Sequence, residues 1–443
     1  MHSVDFFDAR IVEGTTTSIV LDNGKIEQVA VNYTKGAGVR ALCGGSWGFT
    51  SADGDFDIDK AIASASELAV SMNDKSPKEN AKLKEIDNPS VTDLPKVKID
   101  PQDISLEEKV RHLQEIGSYA QKDGISSSSA VYSESSVKVT YIDSNGTKGE
   151  YDLIRTGFAI SAVASENGVY QAGRESRFGV TGYEIFDQSN AEELAENAAN
   201  TALELLSAKP AKGGSMPVIL DPELAGVFAH EAVGHASEAD LVLEGSSILE
   251  NRIGQQIASP LVTIIDDPTM HAYGYYPFDD EGSQARKTTI IENGVLDSYL
   301  HSRETAEKLG GVPGHSRSQG NSKPVVRMSN TYIDSGNSKF EEMLEEIRDG
   351  IYLIGSRGGQ VNTGEGVFQF NAEKGYLVEN GELTGLIRDV SLSGKTLEIL
   401  NNVKMVGNDL SMNSGRCGKS GQLVPVTDGS PHLLISEALV GGA

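Results

Sequence analysis

The stretch DPELAGVFAHEAVGHASEAD, residues 221–240, contains the most informative motif of the chain. His230, Glu231 and His235 form the pattern His-Glu-x-x-x-His directly after an apolar run. Neutral imidazole nitrogen is a common ligand of Zn²⁺, and a carboxylate beside the metal can take a proton from water. Together with the preceding apolar run MPVIL, residues 216–220, the stretch therefore predicts a short buried strand followed by a helix that carries a metal site.

The spacing of the two histidines is unusual for a helix. His230 and His235 are five residues apart, which corresponds to about 140° of rotation at 3.6 residues per turn. An ideal helix would point one of them away from a shared ion. We therefore expect either a π-bulge, which is common at functional sites, or a helix that ends or loosens at Gly234, where no Cβ restricts the backbone.

A catalytic zinc site needs a third protein ligand and an open fourth position. Cys417 is the best candidate, because its loop is rich in glycine and contains an arginine and a lysine that favour the thiolate. The alternative for this residue is a buried, inert cysteine. Three carboxylates that follow the motif compete for the same role: Glu238, Asp240 and Glu244.

Composition limits the class of protein. A chain of 443 residues is long enough for two or three domains. The net charge of −26 argues against a surface for nucleic acid or for anionic lipid. Two cysteines imply no disulfide framework. The N-terminus lacks the pattern of a signal peptide and no run of about 18 apolar residues occurs, so we expect a soluble cytoplasmic protein.

Residues 1–210 predict an α+β domain, an antiparallel sheet with covering helices. Asn23-Gly24 and Asn145-Gly146 each join two alternating runs, which is a strong hairpin signal. Each hairpin is followed by another strand pair and an Ala-rich helix, so the pattern indicates a possible duplicated ββββα unit. Residues 74–104, rich in Pro, Lys and Asp, are interpreted as a linker or a long surface crossover.

Residues 211–443 predict a second, mostly β domain that carries the metal-site helix. It follows a hinge-like segment, AKPAKGGS, at 208–215. Many short strands with Gly-containing turns, such as Asn293-Gly294 and Asn380-Gly381, favour a sandwich or a barrel.

Four pieces of the sequence carry a family resemblance: HEAVGHASEAD (230–240), YGYYPFDDEG (273–282), GRCGKSGQLVPV (415–426) and the N-terminal LDNGKIEQV. With these pieces the chain resembles the TldD/PmbA family, known as modulators of DNA gyrase and regarded as zinc metalloproteases. The resemblance is to the TldD-like, catalytic members, because the companion TldE subunits lack the His-Glu-x-x-x-His motif. It implies zinc ligands at His230, His235 and Cys417 and a catalytic glutamate at Glu231.

The predicted function is hydrolysis of peptide bonds in short or unfolded peptides, with Glu231 as general base. The resemblance implies a dimer, either a homodimer or a heterodimer with a TldE-like subunit. The alternatives are a non-catalytic peptide-binding subunit, a zinc amidase with a non-peptide substrate, and a nucleic-acid-associated factor, which the negative charge disfavours. Candidates for transition-state stabilisation are Tyr275, Tyr276, His315 and Arg327.

Overall fold

The computed structural model describes residues 4–75 and 81–442, and the first part of the chain forms one antiparallel sheet of six strands. The strands are β1 (Phe6–Asp22), β2 (Lys25–Cys43), β3 (Ser46–Asp53), β4 (Ile125–Asp143), β5 (Lys148–Glu166) and β6 (Val169–Gly179). Their order is β3-β2-β1-β4-β5-β6, so the first strands of the two repeats pair at the centre. The predicted antiparallel sheet is confirmed.

Four helices cover this sheet: α1 (Ile58–Lys75), α2 (Leu106–Ser118), α3 (Ile185–Gln188) and α4 (Ala191–Ser207). Each repeat contains three strands followed by an Ala-rich helix, α1 or α4, so the predicted count of four strands per unit is wrong. The reason is that β2 and β5 each run without a break for 19 residues. The second strand of each hairpin and the first strand of the next pair are therefore one strand.

The two repeats use the same contact between helix and sheet. Gly48 in β3 lies against the backbone carbonyl of Ala65 in α1, and Gly173 in β6 lies against that of Ala198 in α4. A Cβ atom at either glycine would overlap this carbonyl. Equivalent glycines thus allow each Ala-rich helix to approach its strand closely, which supports the duplication.

The segment between the repeats crosses the surface in extended form. Residues 81–100 contain no helix or strand, and a 3₁₀ turn, Pro101–Asp103, follows them. The backbone amides of Lys98 and Ile99 both donate to the Glu184 carboxylate (3.0 Å each). The predicted crossover is confirmed over this part; residues 74 and 75 belong to α1, and residues 76–80 lie outside the described residues.

The remainder of the described chain is mostly strand, as predicted. The strands are β7 (Lys209–Pro210), β8 (Gly214–Leu220), β9 (Ile264–Asp266), β10 (Thr288–Glu292), β11 (Val295–Leu296), β12 (Ser316–Arg317), β13 (Val325–Val326), β14 (Asn330–Ile333), β15 (Gly350–Asn362), β16 (Val367–Glu379), β17 (Glu382–Arg388), β18 (Val390–Lys395), β19 (Val403–Val406), β20 (Ser411–Lys419), β21 (Gln422–Ser430) and β22 (Leu433–Gly442). Short helices connect them: α5 (Pro222–Phe228), α6 (Ala239–Leu243), α7 (Arg303–Leu309), α8 (Phe340–Ile347) and α9 (Thr396–Asn401).

Two sheets organise this part. In the first sheet, five strands pair in the order β15, β8, β22, β18 and β16. Because β16 also pairs with β15, these strands form a closed circuit, as in a small barrel. The second has the order β11-β10-β9-β14-β21-β20, with β20 at its edge. Both Asn-Gly turns have the positive φ angles that this dipeptide permits, 47° and 82° at Asn293-Gly294 and 53° and 81° at Asn380-Gly381.

The segment 208–215 is not a hinge, so that prediction is wrong. Lys209 and Pro210 pair in parallel with Ile387 and Arg388 of β17, and Gly214 begins β8. The division into domains at residues 1–210 and 211–443 stays a prediction. No helix within the described residues is both long and apolar enough to cross a membrane, and the cytoplasmic location stays a prediction as well.

Candidate metal centre

The motif helix begins where a buried barrel strand ends. Strand β8 finishes at Leu220, and Asp221 accepts a hydrogen bond from the backbone amide of Leu224 (2.9 Å) as the N-cap of α5. Pro222 occupies the first helical position, where its missing N–H costs nothing. This cap fixes the start of the helix that leads to the two histidines.

The helix changes its winding at the motif. It is α-helical up to Phe228, π-helical over Ala229–Gly234, and ends in a 3₁₀ turn, His235–Ser237. A π turn adds one residue per hydrogen-bonded ring, so residues five apart come to lie on one face. The predicted deformation is confirmed.

Gly234 is needed for packing and not for an unusual backbone, which corrects the reason expected from the sequence. Its φ and ψ are both −55°, ordinary values for a right-handed helix. A Cβ atom at this position would overlap Sδ of the fully buried Met328. The glycine therefore lets the distorted helix lie against the segment between β13 and β14.

The hairpin β20–β21 brings Cys417 to this helix. His230, His235 and Cys417 are 4%, 9% and 3% exposed, and their nearest ligand atoms all lie within 4.8 Å of one another. Sγ of Cys417 is 3.4 Å from Nε2 of His235. Three residues that are up to 187 positions apart in sequence thus converge in one buried cluster.

Charge interactions within the cluster outweigh burial. Burial alone would raise the pKa of the Cys417 thiol, but the two facing histidines lower it to about 4. Burial alone would lower the pKa of His230, but Cys417 and Glu231 raise it to about 9. The cysteine is therefore held as a thiolate, the form that binds metal.

The donor set fits zinc. One thiolate and two imidazoles are typical zinc ligands, and tetrahedral coordination with bonds of about 2.3 Å to S and 2.0 Å to N places these atoms about 3.5 Å apart. The distance of 3.4 Å between Cys417 and His235 agrees with this value. Among the described residues, the buried Nδ1 atom of His230 has no hydrogen-bond partner, which suits an imidazole nitrogen that is reserved for a ligand.

Two of the three carboxylates that compete as possible metal ligands pair with Lys419 and do not belong to the cluster of ligand atoms. Glu238, fully buried, accepts from Nδ1 of His235 (3.1 Å) and pairs with Lys419 (3.0 Å). Asp240 pairs with the same lysine (2.8 Å). Glu244 is exposed and does not belong to the cluster of possible ligand atoms.

Glu231 lies on the accessible side of the cluster. Its side chain is 31% exposed, and Oε2 is 3.9 Å from Nε2 of His235. A carboxylate in this position borders both the histidine pair and solvent, so a water molecule can reach it. This is the environment that a general base requires.

Sequence reasoning missed Asp428, a buried neighbour of the cluster. Burial raises the pKa of Asp428 to about 6, His230 acts against this shift, and Glu231 adds to it. Strand alternation could have indicated this residue. Val424 pairs with Cys417 in the hairpin, and Asp428, four positions later, faces the same side.

The four candidates for transition-state stabilisation lie in structural contacts. The hydroxyls of Tyr275 and Tyr276 donate to the carbonyls of Asp93 and Gly314, respectively. His315 is completely buried and lies 3.9 Å from Asp266. Arg327 is also buried and donates to the carbonyl of Cys417, so it supports the cysteine through its backbone. The hydroxyls of both tyrosines are therefore engaged, whereas Nε2 of His315 and Nε of Arg327 have no hydrogen-bond partner among the described residues.

Comparison with known proteins shows to which family the chain belongs. Three family models cover almost the whole chain: the PmbA/TldA metallopeptidase domain 1 over residues 7–69, the central domain over 99–206 and the C-terminal domain over 213–442. The chain belongs to the TldD/PmbA metallopeptidase family. Both histidines and the cysteine lie within the segment matched by the C-terminal domain.

Relatives in the TldD/PmbA family match over most of their length. A metalloprotease of Archaeoglobus fulgidus is 46% identical, with 99% of this chain and 100% of the relative covered. A zinc metalloprotease TldD homolog of Saccharolobus solfataricus is 35% identical over 76% of each chain.

Solved structures show the same fold. A putative modulator of DNA gyrase from Thermotoga maritima superposes with a TM-score of 0.81 at 24% identity, with 98% of this chain and 96% of that chain covered. TldE from Thermococcus kodakarensis superposes with a TM-score of 0.76 at 18% identity, covering 99% and 97%.

Proposed function

We propose that this protein is a zinc-dependent metallopeptidase in which His230, His235 and Cys417 hold the metal. The observation that carries the proposal is the convergence of these three buried side chains beside the accessible carboxylate of Glu231. A relative named as a zinc metalloprotease supports the choice of metal. A bound zinc ion would supply a Lewis acid that polarises a peptide carbonyl and lowers the pKa of water.

The protein's own residues supply the proton transfers. Glu231 accepts a proton from the attacking water and then donates it to the amine that leaves. Its contact with solvent gives it access to water, while the burial of both histidines and the cysteine keeps water away from the rest of the cluster. Glu238 fixes the ring of His235 through Nδ1 and so directs Nε2 towards the cluster.

The proposed substrates are short or unfolded peptides. The cluster is at least 91% buried at each ligand, so a folded protein surface does not reach it. Strand β20, which contains Cys417, is the edge strand of its sheet, and an edge strand can pair with an extended peptide where β6, whose Phe178 amide donates to Ser414 (3.0 Å), does not cover it. Backbone pairing of this kind tolerates many side chains.

A comparison of Glu231→Gln with the wild type tests the proposal. We expect both proteins to contain about one zinc ion per chain and the variant to cleave a mixture of unfolded casein peptides at least about 100-fold more slowly. Glu244→Gln, an exposed carboxylate nearby, is the matched control and should keep full activity. Full activity of Glu231→Gln would overturn the role of this residue.

Two further outcomes separate the alternatives. A wild-type protein that binds zinc but cleaves only non-peptide amides would replace the peptidase assignment by that of an amidase. A wild-type protein without zinc and without activity, which still binds peptides, would identify a binding subunit.

We further propose that the protein works as a dimer, with itself or with a TldE-like subunit. The shared fold with TldE of Thermococcus kodakarensis supports a partner of similar shape. Light scattering after size-exclusion chromatography, with and without a co-expressed TldE-like chain, tests the proposal. A monomer with full peptidase activity would contradict it.

A further inference from the structure

A cavity of about 300 Å³ lies between the first sheet and loops of the C-terminal part. Its walls come from β1, β4 and β5 on one side and from residues 273–280, 317–320 and 423–425 on the other. Arg416, the neighbour of Cys417 in β20, also lines it. Because side chains alternate along a strand, Arg416 and Cys417 point to opposite sides of the hairpin, and the cavity is separate from the metal centre.

Apart from the exposed Arg416, two guanidinium groups in this cavity have no carboxylate partner among the described residues. Arg155 donates to the carbonyls of Tyr273 (3.2 Å) and Tyr275 (2.7 Å). Arg317, only 6% exposed, donates to the carbonyls of Met328 and Pro425 (2.6 Å each). Carbonyl groups satisfy N–H donors but do not neutralise a charge, so the positive charge of each side chain is offset only by carboxylates that it does not contact, of which Asp280 acts on both.

The carboxylates of the cavity are already engaged. Glu134 pairs with Lys109 (2.7 Å), and Asp280 pairs with Arg10 and accepts from Ser318. Asp279 accepts three backbone amides instead of a cation, those of Glu281, Ser283 and Ser316. Burial raises the pKa of Asp279 well above its ordinary value, and nearby Glu281 adds to this effect. None of these acids forms an ion pair with Arg155 or Arg317, and Asp280, whose charge acts on both, is already paired with Arg10.

The two arginines also affect each other. Burial lowers the pKa of both guanidinium groups, and the charge of Arg317 contributes to the lowering at Arg155. Two like charges that face one cavity are stabilised most simply by an anion placed between them. Each guanidinium keeps N–H groups that its two carbonyl contacts do not use, since it has five donors.

We propose that this cavity binds a monocarboxylate with an apolar body, the chemistry of a peptide's C-terminal residue. Arg155 and Arg317 contact the carboxylate, and the apolar part packs on the sheet wall formed by Val137, Val139, Leu153 and Phe178. A phosphate dianion fits less well, because Asp280 and Glu134 line the same space. The site does not depend on the proposed peptidase activity.

Calorimetric titration of the zinc-containing Glu231→Gln protein tests the proposal without turnover. The probes are N-acetylphenylalanine and N-acetylphenylalanine amide, which differ only in the charged carboxylate. We expect the acid to bind at least about tenfold more tightly than the amide, because charge-assisted hydrogen bonds are about twice as strong as neutral ones. Equal binding of the two probes, or no binding of the acid, overturns the proposal.

Two variants test whether the acid binds in this cavity. Arg155→Gln should weaken binding of the acid at least about tenfold while zinc content stays unchanged. Arg111→Gln, an exposed arginine of α2 outside the cavity, is the matched control and should bind normally. If Arg155→Gln does not fold, the proposal is still tested by comparing binding of the acid with binding of the amide. Binding of the acid to Arg416→Gln, a variant at the exposed rim of the cavity, is then measured as well. If binding of the acid disappears only when zinc is chelated, the acid binds at the metal centre and the proposal is overturned. Binding of inorganic phosphate that is stronger than binding of the acid would also overturn the proposal.

Discussion

Glu238 and His235 are joined by a hydrogen bond of 3.1 Å between Oε2 and Nδ1. A carboxylate can only accept, so Nδ1 carries the proton and Nε2 is left free to bind a metal. Burial alone would raise the pKa of Glu238, but His235 and Lys419 lower it. This contact therefore fixes both the tautomer and the direction of the ring.

Loss of this carboxylate should weaken zinc binding. Glu238→Gln removes the charge that orients His235, and such contacts typically contribute about 10- to 100-fold to metal affinity. Asp240→Asn is the matched control, because Asp240 pairs with the same lysine without contacting the histidine. Competition with a chromophoric chelator measures both affinities. Equal effects of the two substitutions would contradict the role of Glu238.

The packing at Gly234 predicts a different kind of effect. Gly234→Ala places a methyl group on Sδ of Met328 and should lower the free energy of unfolding by about 1–3 kcal/mol, as overpacking does. Gly418→Ala, in the hairpin with Cys417, meets only an ordinary contact of 3.6 Å and should change stability little. Urea unfolding measures both variants. In a Met328→Ala background, Gly234→Ala should cost less than in the wild type, and an equal cost in both backgrounds would contradict this explanation.

Local patterns in the sequence were sufficient for much of the fold. The Asn-Gly turns and the alternating runs predicted hairpins because turn chemistry and side-chain period are local properties. The predicted number of strands in each repeat was wrong, because no local sequence pattern distinguishes one strand of 19 residues from two shorter strands. The segment at 208–215 looked like a linker because its partner, β17, lies about 180 residues away.

The candidate site could be predicted from its spacing but not from its surroundings. The interval between His230 and His235 demanded a helix distortion, and a π-helical segment is present. The role of Glu238 depends on how the chain turns after the helix, and Asp428 approaches from a hairpin about 200 residues away in sequence. Such tertiary contacts leave no periodic pattern in the sequence.

Removal of the metal should destabilise the protein if Cys417 is a ligand. A ligand bound only by the folded state at 100 times its Kd contributes about 2.7 kcal/mol. Treatment with a chelator should therefore lower the melting temperature, and added zinc should restore it. Cys417→Ser should melt at a lower temperature and respond less to zinc. Cys43→Ser, the other cysteine, lies outside the cluster and is the control; an equal loss of the zinc response there would contradict the assignment.

Glu184 predicts a pH-dependent anchor for the crossover segment. Burial alone would raise the pKa of this carboxylate, but backbone amides, among them those of Lys98 and Ile99, and the hydroxyl of Thr181 lower it from 4.5 to about 2. A group with a lowered pKa in the folded state stabilises the protein above its unfolded pKa and loses this contribution as the pH falls. The contribution should therefore be complete above pH 4.5 and decline towards pH 2.

The substitution Glu184→Gln tests this anchor. It should reduce the free energy of unfolding at pH 7 by about 1–3 kcal/mol, because one carboxylate oxygen that accepts a buried amide is replaced by a donor. Asp187→Asn, an exposed acid on the following turn, is the control. Denaturant unfolding at pH 7, 4 and 3 should show the difference between wild type and Glu184→Gln shrinking as the pH falls. A difference that stays constant over this range would mean that Glu184 acts through shape and not through its charge.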